Sequence, residues 1–333
     1  MKLKNNFQSK LAILISVLVL QTATQSIATA DPAPDEEISV QYQTQPGYYR
    51  YKLGNYQITS LSDGTVPQDL HSLLKGESQS EVDKLLTQAH LQSPVEASIN
   101  AFLINTGTKI ILVDTGAGSF FGPGYGGKLL ERLKGIGYEA NQITDILITH
   151  VHTDHTGGLV KNGQAVFTNA TVYIGKADLD FFLDVKNQDG VHGYDKSYFH
   201  QATTALSPYV KLGHINPISG SKVLFSGVNA IPTPGHTPGH YFYTFESAGK
   251  SITFIGDSIH VESIQFSKPE ITMTYDVDQP AAAKQRAIQF EKIAKEGSLI
   301  AAPHLPYPGI GYINQVAVGY KFIRVEYHDR EGI

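Results

Sequence analysis

Short apolar runs closed by turn residues recur over most of the chain. Six runs show this pattern most clearly: residues 100–105, 109–114, 145–149, 228–231, 251–255 and 299–302. An apolar run of four to eight residues between turn residues is typical of a buried strand. We therefore predict that these six segments are buried strands.

Four stretches that we predict to be helical alternate with these runs. They cover residues 127–134, 176–185, 194–206 and 279–296. Pro280 suits the first turn of the last of them, where its missing N–H costs no hydrogen bond. Helices interleaved with strands predict an α/β domain in which helices cover sheets. Since no linker or solenoid repeat interrupts residues 46–333, we expect one domain there.

The first thirty residues have the pattern of a secretory signal peptide. Three lysines precede an apolar run at positions 11–20, and the motif Ala28-Thr29-Ala30 follows this run. Ten apolar residues are too few to cross a bilayer core, which needs about 20. We therefore predict cleavage after Ala30 and a periplasmic or secreted protein without a stable membrane span.

The segment that follows the leader is rich in proline and acidic residues. Residues 31–45 offer few apolar positions, which predicts a flexible N-terminal tail. The overlapping segment 42–51 is apolar and aromatic enough to dock on a neighbouring copy. A homodimer is therefore an expectation for this chain.

Composition and charge exclude several classes of protein. The chain has 13 histidines and no cysteine, so disulfides, Cys-ligated metal sites and cysteine nucleophiles are all excluded. Loss of the three leader lysines takes the formal charge from −5 to −8, because the leader holds no acidic residue. A negative protein is a poor partner for nucleic acid, so we expect none.

The strongest chemical signal is the motif His150-Val-His152-Thr-Asp154-His155, which follows the predicted strand 145–149. On an extended backbone, residues two apart project to the same side, so His150 and His152 are placed to bind one cation. If the chain then turns, Asp154 and His155 face a second cation nearby. The spacing predicts a metal site.

Three other predicted strands end in the same manner. Each runs into a Gly or Pro turn, and the ligand-type residues that follow these turns are His236, Asp257 and His304. The carboxyl ends of strands form the crevice where open α/β proteins build their sites. We therefore expect seven side chains to converge there.

In this order of motifs the chain resembles the metallo-β-lactamase superfamily. The resemblance implies an αββα sandwich, in which two mixed β-sheets are flanked by helices. It implies that one divalent metal ion is bound by His150, His152 and His236. It implies that Asp154, His155 and His304 bind a second ion, and that Asp257 bridges the two ions.

Within the superfamily the chain most resembles the secreted methyl parathion hydrolase group. The matching segments are Pro46-Gly-Tyr-Tyr-Arg50, Phe121-Gly-Pro123, residues 234–240 and residues 302–309. The resemblance implies that three aromatic rings line the substrate mouth: Phe121, Phe182 and Phe199. At position 260 the resemblance leads us to expect an apolar pocket residue, but this chain has His260. Its side chain could hydrogen-bond a lactone or phosphoryl oxygen, or protonate a leaving group. The alternative is an exposed histidine of a loop.

The implied activity is hydrolysis of a phosphotriester, aryl ester or lactone by a hydroxide that bridges two metal ions. A quorum-quenching lactonase is one form of this activity. Asp257 would set the metal spacing, and Asp154 would orient the hydroxide or relay its proton. Zinc is the default metal, while Mn, Co and Fe suit the same His and carboxylate ligands. The expected partner is a small ester, lactone or organophosphate.

Three alternatives remain open at this point. A periplasmic metallo-β-lactamase fits the export signal, although relatives that open β-lactams generally lack the bridging residue Asp257. A mononuclear iron persulfide dioxygenase uses a similar ligand set with a different metal. A non-enzymatic binding protein with a degenerate site is disfavoured by the complete set of seven ligand-type residues.

Overall fold

The computed structural model describes residues 45–191 and 194–329. The predicted leader, and the predicted tail up to residue 44, lie outside these residues. Within the described part of the chain, no helix combines the length and the apolar character needed to cross a membrane.

The strands of the described residues carry the following bounds: β1 Tyr48–Leu53, β2 Tyr56–Gln68, β3 Leu74–Lys75, β4 Val95–Asn105, β5 Ile110–Val113, β6 Asp145–Leu147, β7 Val160–Lys161, β8 Gln164–Ala165, β9 Thr171–Gly175, β10 Ile215–Ile218, β11 Lys222–Phe225, β12 Val228–Pro232, β13 Tyr241–Ser247, β14 Lys250–Phe254, β15 Thr272–Met273, β16 Leu299–Ala301, β17 Ile310–Gln315 and β18 Tyr320–Arg324.

The α-helices of the same residues are α1 Leu70–Leu73, α2 Gln79–Gln88, α3 Leu129–Gly135, α4 Thr153–Thr156, α5 Lys176–Phe182, α6 Lys196–Leu212, α7 Glu262–Gln265 and α8 Gln279–Glu296. Short 3₁₀ helices lie at Ala140–Gln142, Gly157–Leu159, Val185–Asn187 and Gly256–Ser258.

Two mixed seven-stranded sheets form the centre of the fold. The first has the order β1-β2-β4-β5-β6-β9-β10, and the second β11-β12-β13-β14-β16-β17-β18. Strands β5, β6, β9 and β10 pair in parallel, whereas β1, β2 and β4 pair antiparallel. In the second sheet the pair β14–β16 is parallel and its other pairs are antiparallel.

The hydrophobic core has three main layers. Between the sheets, side chains such as Phe102 of β4 and Phe254 of β14 pack together. Helices α3, α5 and α6 cover the outer face of the first sheet. Helix α8 covers the second sheet through Phe290 and Ile293. This arrangement is the predicted sandwich of two mixed sheets flanked by helices.

The six predicted strands and four predicted helices are all present; α8 has the predicted bounds, and the other elements have shifted ends. The largest difference concerns α6, predicted to end at residue 206, which continues to Leu212 although Pro208 lies inside it. Tyr209 explains the extension, because its ring is fully buried and its hydroxyl donates to the Leu159 carbonyl at 2.9 Å. Tertiary packing here outweighs the helix-breaking tendency of proline.

Candidate metal centre

The HxHxDH motif lies where the chain leaves β6 and turns. His152 has extended backbone angles and precedes α4, whose single turn carries Asp154 and His155. The change from extended to helical backbone therefore sends the first two histidines and the last two residues of the motif in different directions. The three histidine side chains are buried, and the Asp154 side chain is 15% exposed.

A first set of nitrogen donors converges at three histidines. His150 Nε2 lies 3.0 Å from His152 Nδ1, and His236 Nε2 lies 3.2 Å and 3.0 Å from these two atoms. His236 comes from the turn after β12, so the two sheets contribute to one cluster. The three atoms form a nearly equilateral triangle that can hold one ion.

A second set of donors lies beside the first. His304, which follows β16, has its Nε2 3.4 Å from Asp154 Oδ2, and His155 Nε2 lies 3.8 Å from Asp154 Oδ1. These three side chains offer ligand atoms within 4.8 Å of one another. They can hold a second ion.

Asp257 faces both sets. Its Oδ2 lies 3.3 Å from His236 Nε2 and 3.2 Å from His304 Nε2, and its Oδ1 lies 3.2 Å from His155 Nε2. Gly256 directs this carboxylate, because its φ of +47° turns the chain after β14 and a Cβ there would lie 2.5 Å from His240 Nε2. One carboxylate thus reaches both donor sets.

Two buried atoms at the centre of this cluster lack a hydrogen-bond partner within the described residues: His155 Nε2 and Asp257 Oδ1. A buried polar atom without a partner costs free energy, so these atoms call for a bound group. Zinc binds imidazole nitrogen and carboxylate oxygen at about 2.0–2.2 Å, which places ligands of one ion about 3–3.5 Å apart. The donor set fits two divalent ions.

Buried groups orient the imidazole rings from behind. Asp276 Oδ1 accepts from His236 Nδ1 at 2.6 Å, and the Ser98 carbonyl accepts from His304 Nδ1 at 2.8 Å. Asp114 Oδ2 lies 2.9 Å from His155 Nδ1. Such partners fix the tautomer, so that the opposite nitrogen presents its lone pair to the metal.

His152 is oriented by a phenol instead of a carboxylate. Its Nε2 lies 3.0 Å from the hydroxyl of Tyr194, and that hydroxyl donates to the backbone carbonyl of Tyr275. This pairing leaves Nδ1 of His152 for the metal, whereas the other histidines of the cluster present Nε2.

Asp178 ties together the two loops that carry the first donor set. From α5, its carboxylate accepts hydrogen bonds from the backbone N–H groups of Val151 and Gly239 at 2.8 Å and 2.6 Å, and from the Thr237 hydroxyl at 2.8 Å. His240 Nε2 similarly accepts from the backbone N–H of Asp257 at 3.1 Å.

Without cations, the cluster perturbs its own ionisation. Burial would lower the pKa of His236, but the carboxylates of Asp257 and Asp276 outweigh burial and raise the pKa to about 9. Burial and neighbouring imidazoles hold the pKa of His150 well below its usual range. Burial alone would raise the pKa of Asp257, yet the surrounding histidines hold it well below normal. The carboxylate of Asp257 is therefore ionised near neutral pH.

A cavity of about 260 Å³ opens onto the donor cluster. Phe121 lines it, on a loop held by Asp63, whose carboxylate accepts from the backbone N–H groups of Ala117, Gly127 and Leu129. Asp154, Asp257 and His304 reach the cavity from the cluster.

The other two predicted mouth residues lie elsewhere. Phe182 and Phe199 are fully buried and are absent from the cavity lining, which corrects that expectation: Phe182 packs edge-on against His152, and Phe199 packs against Phe182. The helices α5 and α6 turn these rings into the core of the first sheet, where apolar burial is favourable. Tyr198 and Tyr275 line the cavity instead.

His260 is buried and lines the cavity, so the alternative that it is an exposed loop histidine is wrong. Its Nε2 lies 3.0 Å from Asp257 Oδ2, and its ring stacks on that of His304 with centroids 5.2 Å apart.

Sequence reasoning missed Asp276, Tyr194 and Asp178. Each lies far along the chain from the histidine or loop it supports, for example 40 residues between Asp276 and His236. No spacing rule connects such pairs. The one available signal was the chemical expectation that ligating histidines have acceptors behind them.

Comparison with known proteins gives concordant matches. Residues 95–304 match the metallo-beta-lactamase superfamily. The N-acyl homoserine lactonase AiiA of Bacillus thuringiensis subsp. kurstaki is 27% identical over 212 residues, which cover 57% of this chain and 74% of that protein.

Two solved structures resemble the fold closely. The crystal structure of hydrolase AbOPH, in the beta lactamase superfamily, is 37% identical with a TM-score of 0.80, covering 86% of this chain and all of that one. AidC, a dizinc quorum-quenching lactonase in complex with a product, is 27% identical with a TM-score of 0.77, covering 85% and 99%. The chain therefore belongs to the metallo-beta-lactamase superfamily, as a metal-dependent hydrolase.

Proposed function

We propose that this protein hydrolyses lactones and related esters at a centre of two divalent cations. His150, His152 and His236 would hold the first cation. Asp154, His155 and His304 would hold the second, and Asp257 would contact both. The observation that carries the proposal is the reach of Asp257 from one donor set to the other, with 3.3 Å to His236 and 3.2 Å to His304.

Two bound cations would supply a nucleophilic hydroxide near neutral pH and polarise the carbonyl under attack. The chain contributes position and shape to this chemistry. Asp257 sets the separation of the two donor sets, since its two oxygens face different histidines. Asp154 is the most exposed residue of the cluster and borders the cavity, so its carboxylate is placed to orient a nucleophile or accept a proton.

The relatives favour a lactone as substrate. AiiA is named an N-acyl homoserine lactonase, and AidC is described as a dizinc quorum-quenching lactonase. The cavity offers aromatic walls from Phe121 and Tyr275, which suit the flat face of an ester or aryl group. We propose zinc as the metal, and we expect aryl esters and phosphotriesters to be slower substrates of the same centre.

A substrate panel tests this proposal. The zinc-loaded protein is assayed with acyl-homoserine lactones, aryl esters, methyl parathion and a β-lactam. We expect the highest kcat/KM on acyl-homoserine lactones and lower values on aryl esters and methyl parathion. Asp257→Ala should abolish activity, and His304→Ala should deplete one metal more than the other. Asp180→Asn, on the exposed side of α5, is the control. Inactivity on the whole panel, or full activity of Asp257→Ala, would contradict the proposal.

We also propose that the protein acts outside the cytoplasm, on the strength of the leader pattern in residues 1–30. Cell fractionation and N-terminal sequencing test this directly. The expected mature N-terminus is Asp31, and an intact Met1 in the cytoplasmic fraction would contradict it.

A further inference from the structure

We propose that His260 is an eighth metal donor, which completes a second ligand set for the second cation together with Asp257 and His304. This inference rests on the proposed function, because it assumes cations at the same centre. It adds a residue that the HxHxDH pattern and its three partner turns do not include.

The local fold holds the backbone of His260 in place. The backbone N–H groups of His260 and Val261 both donate to the side-chain oxygen of Gln265, at 2.8 Å and 3.2 Å. The amide nitrogen of Gln265 in turn donates to the Ile271 carbonyl at 3.0 Å. Since Gln265 is fully buried, this network fixes the turn that presents the His260 ring to the cluster.

The distances around His260 match those between the ligand atoms of the first set. His260 Nε2 lies 3.0 Å and His304 Nε2 lies 3.2 Å from the same oxygen, Asp257 Oδ2. All three side chains offer ligand atoms within 4.8 Å of one another. In the first set the corresponding nitrogen separations are 3.0–3.2 Å. Such separations are those of neighbouring ligands on one ion with bonds of about 2.0–2.2 Å.

Burial distinguishes His260 from a surface histidine near the mouth. Its side chain is 1% exposed, and its ring packs against His236, Tyr275 and His304 with centroids 5.0–5.2 Å apart. Its Nε2 is the ring nitrogen that faces the cluster, 3.0 Å from Asp257 Oδ2, while its Nδ1 has no hydrogen-bond partner among the described residues, unlike Nδ1 of His236 and His304. A polar side chain held this deeply among metal-binding groups belongs to their chemistry rather than to the surface.

His304 belongs both to the set with Asp154 and His155 and to the set with Asp257 and His260. His304 stacks on His260 at an interplanar angle of 19° and meets His155 edge-on at 85°. A cation held by Asp257 and His304 therefore has two ways to complete its coordination, through Asp154 and His155 or through His260. An additional nitrogen donor raises the coordination number available at the second position, which suits ions that accept five or six ligands.

Cobalt reconstitution tests the assignment without relying on activity. The full chain is stripped with a chelator and titrated with Co²⁺, and both metal affinity and the visible absorption of the bound ion are recorded. In His260→Leu we expect at least a tenfold loss of affinity for one of the two ions and an altered absorption spectrum, since one nitrogen ligand is gone. His90→Leu, an exposed histidine change, should leave both readouts unchanged.

Failure of this inference differs from failure of the proposed function. If His260→Leu binds two cobalt ions with unchanged affinity and spectrum, His260 is no ligand, even if activity falls. If the unmodified protein binds fewer than two ions, the dinuclear centre itself is wrong. Should His260→Leu unfold, His260→Gln is titrated in its place, and an unchanged spectrum in that variant would equally overturn the assignment.

Discussion

At the scale of single residues, the acceptors behind the imidazoles decide how the cluster presents its donors. Asp276 is buried. Its Oδ1 accepts a hydrogen bond from His236 Nδ1 at 2.6 Å, and its Oδ2 accepts one from the backbone N–H of Met273 at 2.7 Å. Burial would raise the pKa of Asp276, but its bond to His236 outweighs burial and lowers the pKa. The carboxylate therefore stays ionised and would strengthen His236 as a donor to a bound cation.

Asp276→Asn should weaken metal binding without changing any ligand. An amide has one acceptor oxygen, so it cannot satisfy both His236 and the Met273 N–H, and the negative charge is lost. We expect a ten- to hundredfold loss of metal affinity, roughly the effect of removing such a partner. Chelator competition measures it, with Asp180→Asn as the matched control. Unchanged affinity would show that Asp276 does not support the site.

At the scale of elements, the site depends on how α5 holds the turns that follow β6 and β12. These turns carry hydrogen bonds of their own, such as that from the Thr233 N–H to the His240 carbonyl, and Asp178 adds three hydrogen bonds that link the two turns. Gly239 permits the close approach, because a Cβ there would lie 2.4 Å from the Asp178 backbone nitrogen. The helix thus acts as a clamp on the loops of the first donor set.

Asp178→Asn should destabilise the metal-free protein. The amide presents N–H where Val151 N–H or Gly239 N–H needs an acceptor, so at least one hydrogen bond to a charged group is lost. Such a bond contributes about 1.5–3 kcal/mol, and we expect that decrease in the free energy of unfolding. Urea unfolding in the presence of chelator measures it. Asp180→Asn on the same helix removes only an exposed ion pair with Lys176 and should lower stability far less, so an equal loss in both variants would contradict the clamp.

At the scale of the whole molecule, the donors come from both sheets. The first sheet supplies the motif after β6, and the second supplies His236, Asp257 and His304 after β12, β14 and β16. Bound cations would therefore connect the two halves of the sandwich. Ions that bind the folded chain but not the unfolded chain stabilise it by mass action.

Removal of metal should consequently lower the melting temperature. At free zinc one hundred times above Kd, binding of one ion contributes about 2.7 kcal/mol. Two such ions would contribute about 5.4 kcal/mol, and for a chain of this size we expect the chelated protein to melt about 9 °C lower. Scanning calorimetry with and without chelator measures the shift, and Asp257→Ala should show a smaller one. An identical melting temperature in both conditions would exclude cations that link the sheets.

Much of the fold and the site was predictable from the chain because the signals are local. Buried strands show as apolar runs, and candidate ligands such as His150 and His304 stand directly after them, so the sequence indicates strand ends and candidate donors together. The fate of Phe182 and Phe199 was not predictable, since helical residues face the core or the cavity according to how the helix is rotated. The extension of α6 past Pro208 depended on Tyr209 for the same reason.

The sequence by itself determined the donor types, their order and their attachment to strand ends, because covalent spacing and backbone periodicity are written in it. Only the tertiary structure decided the rest. It brought His236, Asp257 and His304 to the HxHxDH motif, placed Asp276 and Tyr194 behind the rings, and buried His260 beside Asp257. These contacts join residues far apart in the chain, so packing of the two sheets sets them.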